Sequence, residues 1–179
     1  MFDFPSSNAM DAAVRDGGPG AVLAEILTGS PERVARHSTG LFGAATELIA
    51  LQDEFALVRR RLDAAWSGRA AASTVRKLDD ALAELHRITA DIEHGAALLR
   101  VAGSLVASAQ IAYQLVVSEL NPTVAELMAQ PAGRVAAAAL SEMATASLRE
   151  FLTILTGLLH VIGGDIQRLA ELGRNERRN

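Results

Sequence analysis

A chain of 179 residues is long enough for one domain with a sizeable core, or a core plus an extension. Half of its residues are apolar but only 4% are aromatic, so the apolar content is mostly Ala, Leu and Val, a mixture that favours helix over strand. A net charge of −4 argues against nucleic acid or an acidic membrane as partner, and the absence of cysteine excludes disulfides, thiolate zinc sites and cysteine nucleophiles.

In chain order, residues 1–18 read as a loose leader that ends in the breaker Gly17-Gly18-Pro19-Gly20. This leader has no basic region and no long apolar run, so it is not a Sec-type signal, and export would need another route. A short helix over Ala21–Leu27 follows. Ser30-Pro31-Glu32 then reads as a helix start, with serine at the cap, proline at the first helical position and an acid in the first turn.

From Leu41 the apolar residues form a heptad seam. Leu41, Leu48, Phe55 and Leu62 are spaced by seven, and so are Ala44, Leu51, Val58 and Ala65. The opposite face carries Glu47, Gln52, Glu54, Arg59, Arg60 and Asp63. Trp66-Ser67-Gly68 reads as a turn, because glycine suits a helix C-terminus. The pattern restarts with Ala71, Val75, Leu78, Leu82, Leu85, Thr89, Ile92 and Ala96, and runs on to Leu120. This second helix would be roughly 75 Å long at ~1.5 Å per residue. From Ala96 to Val117 it is apolar on several faces, with Arg100 the only charge, so it needs cover on more than one side.

Asn121-Pro122 reads as the end of that helix, and Thr123–Gln130 as a short helical piece broken at Pro131 and Gly133. A last helix spans about Val135–Leu172, and its densest part, Phe151–Gly164, is the natural cover for residues 96–117. The expected fold is therefore all-α: a long helical hairpin extended into an antiparallel helical bundle. The expected divisions are a flexible leader with a short helix (1–29), the hairpin (30–120) and a helical extension packed on it (121–179). The expected packing or partner face comprises Leu41, Leu48, Leu51, Phe55, Val58 and Leu62 on the first helix, and Val75, Leu78, Leu82, Leu85 and Ile92 on the second.

Two amphipathic helices joined by Trp66-Ser67-Gly68, with Ala70 and Ala71 just after, resemble the WXG family of helical hairpins exported by type VII (ESX-like) systems. The resemblance covers roughly residues 38–120. The stretch from Leu120 to Leu155 is also similar to an extension found behind such hairpins in actinobacterial members. The resemblance implies a turn made by Trp66 and Gly68, dimerisation through the heptad faces, and export with a helical secretion partner. One departure stands out. The family's export element is a Tyr-x-x-x-Asp/Glu after the second helix, whereas the single tyrosine here, Tyr113, has Val117 four residues on. Either a partner supplies the element or the protein stays in the cytoplasm.

Chemistry is sparse. His86 and His94 are eight apart, too far for the i, i+4 pairing of a zinc site, and Asp91 with His94 is a single pair of the kind common by chance. His160 lies in an apolar run and reads as a hydrogen-bonded core residue, while His37 stands apart from the other three. Asp79, Asp80 and Glu84 beside Arg76, Lys77 and Arg87 predict surface ion pairs rather than a metal cage. The glycine-rich segment has neither a strand before it nor a Lys-Ser/Thr after it. The basic tail Arg174, Arg177, Arg178 reads as a solvated end. No catalytic, cofactor or metal residue is expected. The sequence points to a non-enzymatic interaction protein with a helical protein partner, as a homodimer or a heterodimer, located outside the cell or in its envelope through a non-Sec route. Membrane contact through 96–117 and 151–164 is the lesser reading, since the first stretch is interrupted by Arg100, Ser104, Ser108 and Gln110 and the second is too short to span. A cytoplasmic adaptor or chaperone of a secreted partner is the other.

Overall fold

The computed structural model describes residues 4–15 and 17–175, with side chains placed through Glu171. The expected all-α architecture is the one the chain adopts, with no strand among the described residues. The helices are α1 (Asn8–Ala13), α2 (Pro19–Leu27), α3 (Pro31–Ala65), α4 (Arg69–Met128) and α5 (Arg134–Asn175), the last entered through a single 3-10 turn at Pro131–Gly133. The basic tail at Arg174, Arg177 and Arg178 lies outside the described side chains.

The chain divides into two compact units, and both α4 and α5 contribute to each. One comprises Met1–Glu32 with Ala102–Ile162, the other Arg33–Val101 with Gly163–Asn179. These divisions differ from cuts at residues 30 and 121. The first unit collects the N-terminal helices around the part of α4 that is apolar on several sides, as burial of that surface requires.

In the first unit α4 and α5 pack with α2 around Val22, Ile26, Ala109, Tyr113, Val117, Leu148 and Leu155. Met10 of α1 joins Val124, Ala137 and Ala144 in a second cluster. Met10, Tyr113, Val117 and Val124 are fully buried, and burying each such side chain is worth about 1.5–3 kcal/mol. Residues 4–15 are therefore not the loose leader their composition suggests. Their order comes from α4. The α1 cap position, Ser7, makes no side-chain cap bond of its own. Instead Asn121 Oδ1 accepts the backbone N–H groups of Ala9 (3.1 Å) and Met10 (3.2 Å), two donors that a six-residue helix cannot satisfy internally. The Tyr113 hydroxyl donates to Ser7 Oγ (3.3 Å), Ser7 Oγ donates to Asp11 Oδ2 (2.7 Å), and the N–H of Gly20 donates to Asp11 Oδ1 (2.9 Å). Burial raises the Tyr113 hydroxyl above its usual range, with the Ser7 bond pulling the other way. The glycine breaker has a steric reason: a Cβ on Gly20 would sit 2.5 Å from the Asp11 carboxylate.

Asn121-Pro122 does not end α4. The helix runs through Pro122 to Met128. Proline removes one helical hydrogen bond and crowds the preceding turn, but Val124, Leu120, Leu127 and Met128 hold the continuation in the Met10 cluster. Asn121 does cap a helix, as its residue type suggests, but the helix is α1, 111 or more positions away in sequence.

In the second unit α3 lies antiparallel to the first part of α4, beginning at Pro31 as expected, and the end of α5 returns to the same unit. Asn121→Ala should cost this protein about 1 kcal/mol of stability and remove hydrogen-exchange protection at Ala9 and Met10. Unchanged protection at those two amides would show that the cap is not what orders α1.

Candidate functional site

The hairpin turn is built from Trp66, Ser67 and Gly68, which stand between α3 and α4. Gly68 has φ +104°, a conformation that side-chain-bearing residues rarely adopt. The N–H of Trp66 donates to the Leu62 carbonyl and the N–H of Ala72 to the Gly68 carbonyl, both at 3.0 Å, so one helix closes as the next opens. Trp66 is 46% exposed.

Within the second unit the α3 side of the expected packing face is only half used. Val75 is buried, and Leu41, Leu48, Leu62, Leu78, Leu82, Leu85 and Ile92 are half-buried. Leu51, Phe55 and Val58 are exposed, as are Ala44 and Ala65. The inward positions of α3 belong to Ser38, Ala45, Gln52 and Arg59, spaced by seven. Ser38 Oγ donates to the Ala96 carbonyl at 2.8 Å. Gln52 Nε2 donates to the Leu85 carbonyl at 3.0 Å and to Thr89 Oγ1 at 2.6 Å. Arg59 donates Nε and Nη2 to the Asp79 carboxylate at 2.9 and 3.1 Å. These rungs orient α3. Ala45 and Ala96 are small enough for the helices to come close, and the buried hydroxyl and amide must face the carbonyls that satisfy them.

Gln52 and Arg59 therefore leave the solvated face assigned to them from sequence. The signal that would have found them is the heptad Ser38, Ala45, Gln52, Arg59 set against Asp79, Thr89 and Ala96, a row of small and polar groups in matching register. Asp79 pairs across the hairpin and not with Arg76 or Lys77, whereas Glu84 and Arg87 form the expected pair within α4. Hydrogen bonds to Asp79 and Glu84 hold the Arg59 and Arg87 guanidinium groups above their ordinary range, and the hydrogen bond from Arg87 holds the Glu84 carboxyl below its own, with the opposite charge adding to each.

A groove of about 450 Å³ opens in the second unit where α5 returns. Leu41 of α3, Ile88, Ile92 and Gly95 of α4, and Ile166, Leu169 and Ala170 of α5 line it. Glu84, Arg87 and Asp91 stand on its α4 side. Arg87 Nη2 lies 2.6 Å from Glu84 Oε1, and Arg87 Nη1 lies 3.5 Å from Asp91 Oδ2. Leu41 and Ile92 thus belong to the same site, joined by α5 residues that hairpin periodicity does not bring in.

His37, His86, His94 and His160 are all exposed. His160 is therefore not a core residue: Leu155 takes the inward place of its apolar run. Asp91 is engaged by Arg87. Among the described residues no group of three or more His, Asp or Glu stands close enough to hold a metal ion. No protein-family model matches the chain, no curated protein matches it in sequence, and no solved structure matches it.

Gln52→Glu tests the rungs by pH. An ionised carboxylate cannot donate to the Leu85 carbonyl, so the variant should lose about 2 kcal/mol at neutral pH. Its folded-state pKa must then lie above the unfolded value of about 4.3, so stability is present below that value and lost as pH rises through the folded one. Urea unfolding at neutral and acid pH reads this directly, and a variant as stable as the parent at neutral pH would contradict the assignment.

Proposed function

We propose that this chain is a non-enzymatic helical interaction protein, a WXG-like type VII secretion substrate or secretion-associated protein that packs its hairpin on a helical partner. The observation that carries the reading is the uncovered face of α3. Leu51, Phe55 and Val58 stand 39%, 36% and 55% exposed at alternating spacings of four and three, between the half-buried Leu48 and Leu62. Single exposed leucines need no explanation, whereas a heptad-spaced apolar row along one helix is a partner-binding pattern. Acidic Glu47, Asp53 and Glu54 lie towards one end of the row and Arg60 and Arg61 towards the other. That polarity favours an antiparallel partner, either a second copy or another helical secretion protein. The Trp66-Ser67-Gly68 turn supports the family reading. With Val117 four residues after Tyr113 the family's export element is missing from this chain, so in this reading the partner supplies it, and the proposed location is outside the cell or in its envelope.

A second reading, membrane association, has its own support. Within Arg69–Met128 and Pro131–Glu171 lie stretches long and apolar enough to cross a membrane, yet only 33% and 11% of the respective windows are buried. Binding to liposomes in flotation, with dye leakage, would favour it; no binding at any lipid composition or pH would remove it.

For the leading reading, Leu51→Arg with Val58→Arg should leave stability within about 1 kcal/mol, because both sites are exposed, and should abolish self-association or partner co-purification. A double variant that keeps its native mass and its partner would exclude this face. In an actinobacterial host, appearance outside the cell only with a working type VII ATPase is the expected result. Retention in the cytoplasm either way would give the adaptor reading the lead.

A further inference from the structure

The α3–α4–α5 groove of the second unit is separate from the uncovered α3 face, and its chemistry points elsewhere. Its volume of about 450 Å³ falls in the small-molecule range of about 300–1,000 Å³, and such sites combine an apolar body with a few convergent polar groups. Ile88, Ile92, Ile166 and Leu169 supply the apolar body. Among the described residues the polar groups stand on one side only, on α4. There Arg87 forks onto Glu84 (Nη2 to Oε1 2.6 Å, Nε to Oε2 3.2 Å) and reaches Asp91 at 3.5 Å. Among the described residues, two carboxylates against one guanidinium leave the lining with one negative charge in excess. The nearby ionic pair on α5, Asp165 with Arg168 at 3.1 Å, adds no net charge. The guanidinium is already occupied by carboxylates, so an anionic head would have to break ion pairs to reach it. A cationic head meets carboxylate oxygens directly.

We propose that this groove binds a small amphiphile with an aliphatic or aromatic body and a cationic head, the body against Ile92, Ile166 and Leu169 and the head beside Glu84 and Asp91. Gly95 provides a clean test. A Cβ built there meets no atom within 4 Å, so a larger residue would occupy the groove and leave the neighbouring packing undisturbed. Leucine is also the better helix former.

The experiment is calorimetric titration of the full chain with octyltrimethylammonium below its micellar concentration, with octyl sulfate as the anionic control. The expected result is saturable one-to-one binding of the cation, with the anion about tenfold weaker. Gly95→Leu should keep or raise the melting temperature and lose the binding. Glu84→Gln with Asp91→Asn should reverse the preference towards octyl sulfate, since it leaves Arg87 as the one charged lining residue and keeps the space open. No saturable cation binding, an equal affinity of the parent protein for the two probes, or a folded Gly95→Leu protein that binds as before would each overturn the proposal.

Discussion

The Gln52 amide, buried between α3 and α4, is the constraint on which the hairpin depends. Its Nε2 must face the Leu85 carbonyl and Thr89 Oγ1, because a buried amide without partners costs several kcal/mol, and that requirement turns the whole of α3. Ser38 one heptad pair earlier and Arg59 one heptad later obey the same register, with Ala45 providing close approach between them. With these four positions inward, Leu51 and Val58, each about 100° around the helix from Gln52 and Arg59, fall on the flank of α3 and are exposed. A small, polar interior edge and a large, apolar exterior edge are thus two consequences of one rotation. A buried polar residue at such a seam trades stability for a defined register, as a core asparagine does in coiled coils.

The first unit is closed by a different device. The segment of α4 that is apolar on several sides receives α5 on one side and the N-terminal helices on another. The N-terminal helices are too short to hold themselves, six residues in α1 and nine in α2. Asn121 and Tyr113, both on α4, supply the polar anchors, and Met10, Val22 and Ile26 supply the apolar ones.

Much of this architecture was legible in the chain. Ser30-Pro31, Trp66-Ser67-Gly68 and Pro131 with Gly133 punctuate it where expected, because these residues act through local backbone geometry. What escaped depends on groups distant in sequence. The α1 segment has no helical signal of its own and folds because Asn121 reaches it. Pro122 carries a local stop that tertiary burial of Val124 overrides. His160 sits in an apolar run whose inward side belongs to Leu155, so hydrophobic neighbours in sequence did not mean burial in space. Periodicity found the apolar seam of α3 and placed Gln52 and Arg59 on the solvated face, because both rows repeat at seven and the apolar one carries the larger side chains. The groove needs Ile166 and Leu169, from the far end of the chain, and no spacing within the hairpin announces them.

Because the chain has no cysteine, a single introduced thiol reports one position cleanly, and its reactivity tests the orientation of α3 most directly. Ala45→Cys and Val58→Cys would be labelled with a maleimide at a protein concentration where sedimentation shows a monomer. The rotation set by Gln52 predicts that the thiol at position 58 reacts almost as fast as in the unfolded chain, and that the thiol at position 45 is protected about a hundredfold or more. Equal reactivity at the two positions would show that Gln52 sets no such rotation, and protection at 58 with free reaction at 45 would show that α3 faces α4 with its apolar stripe; either result would remove the exposed partner face.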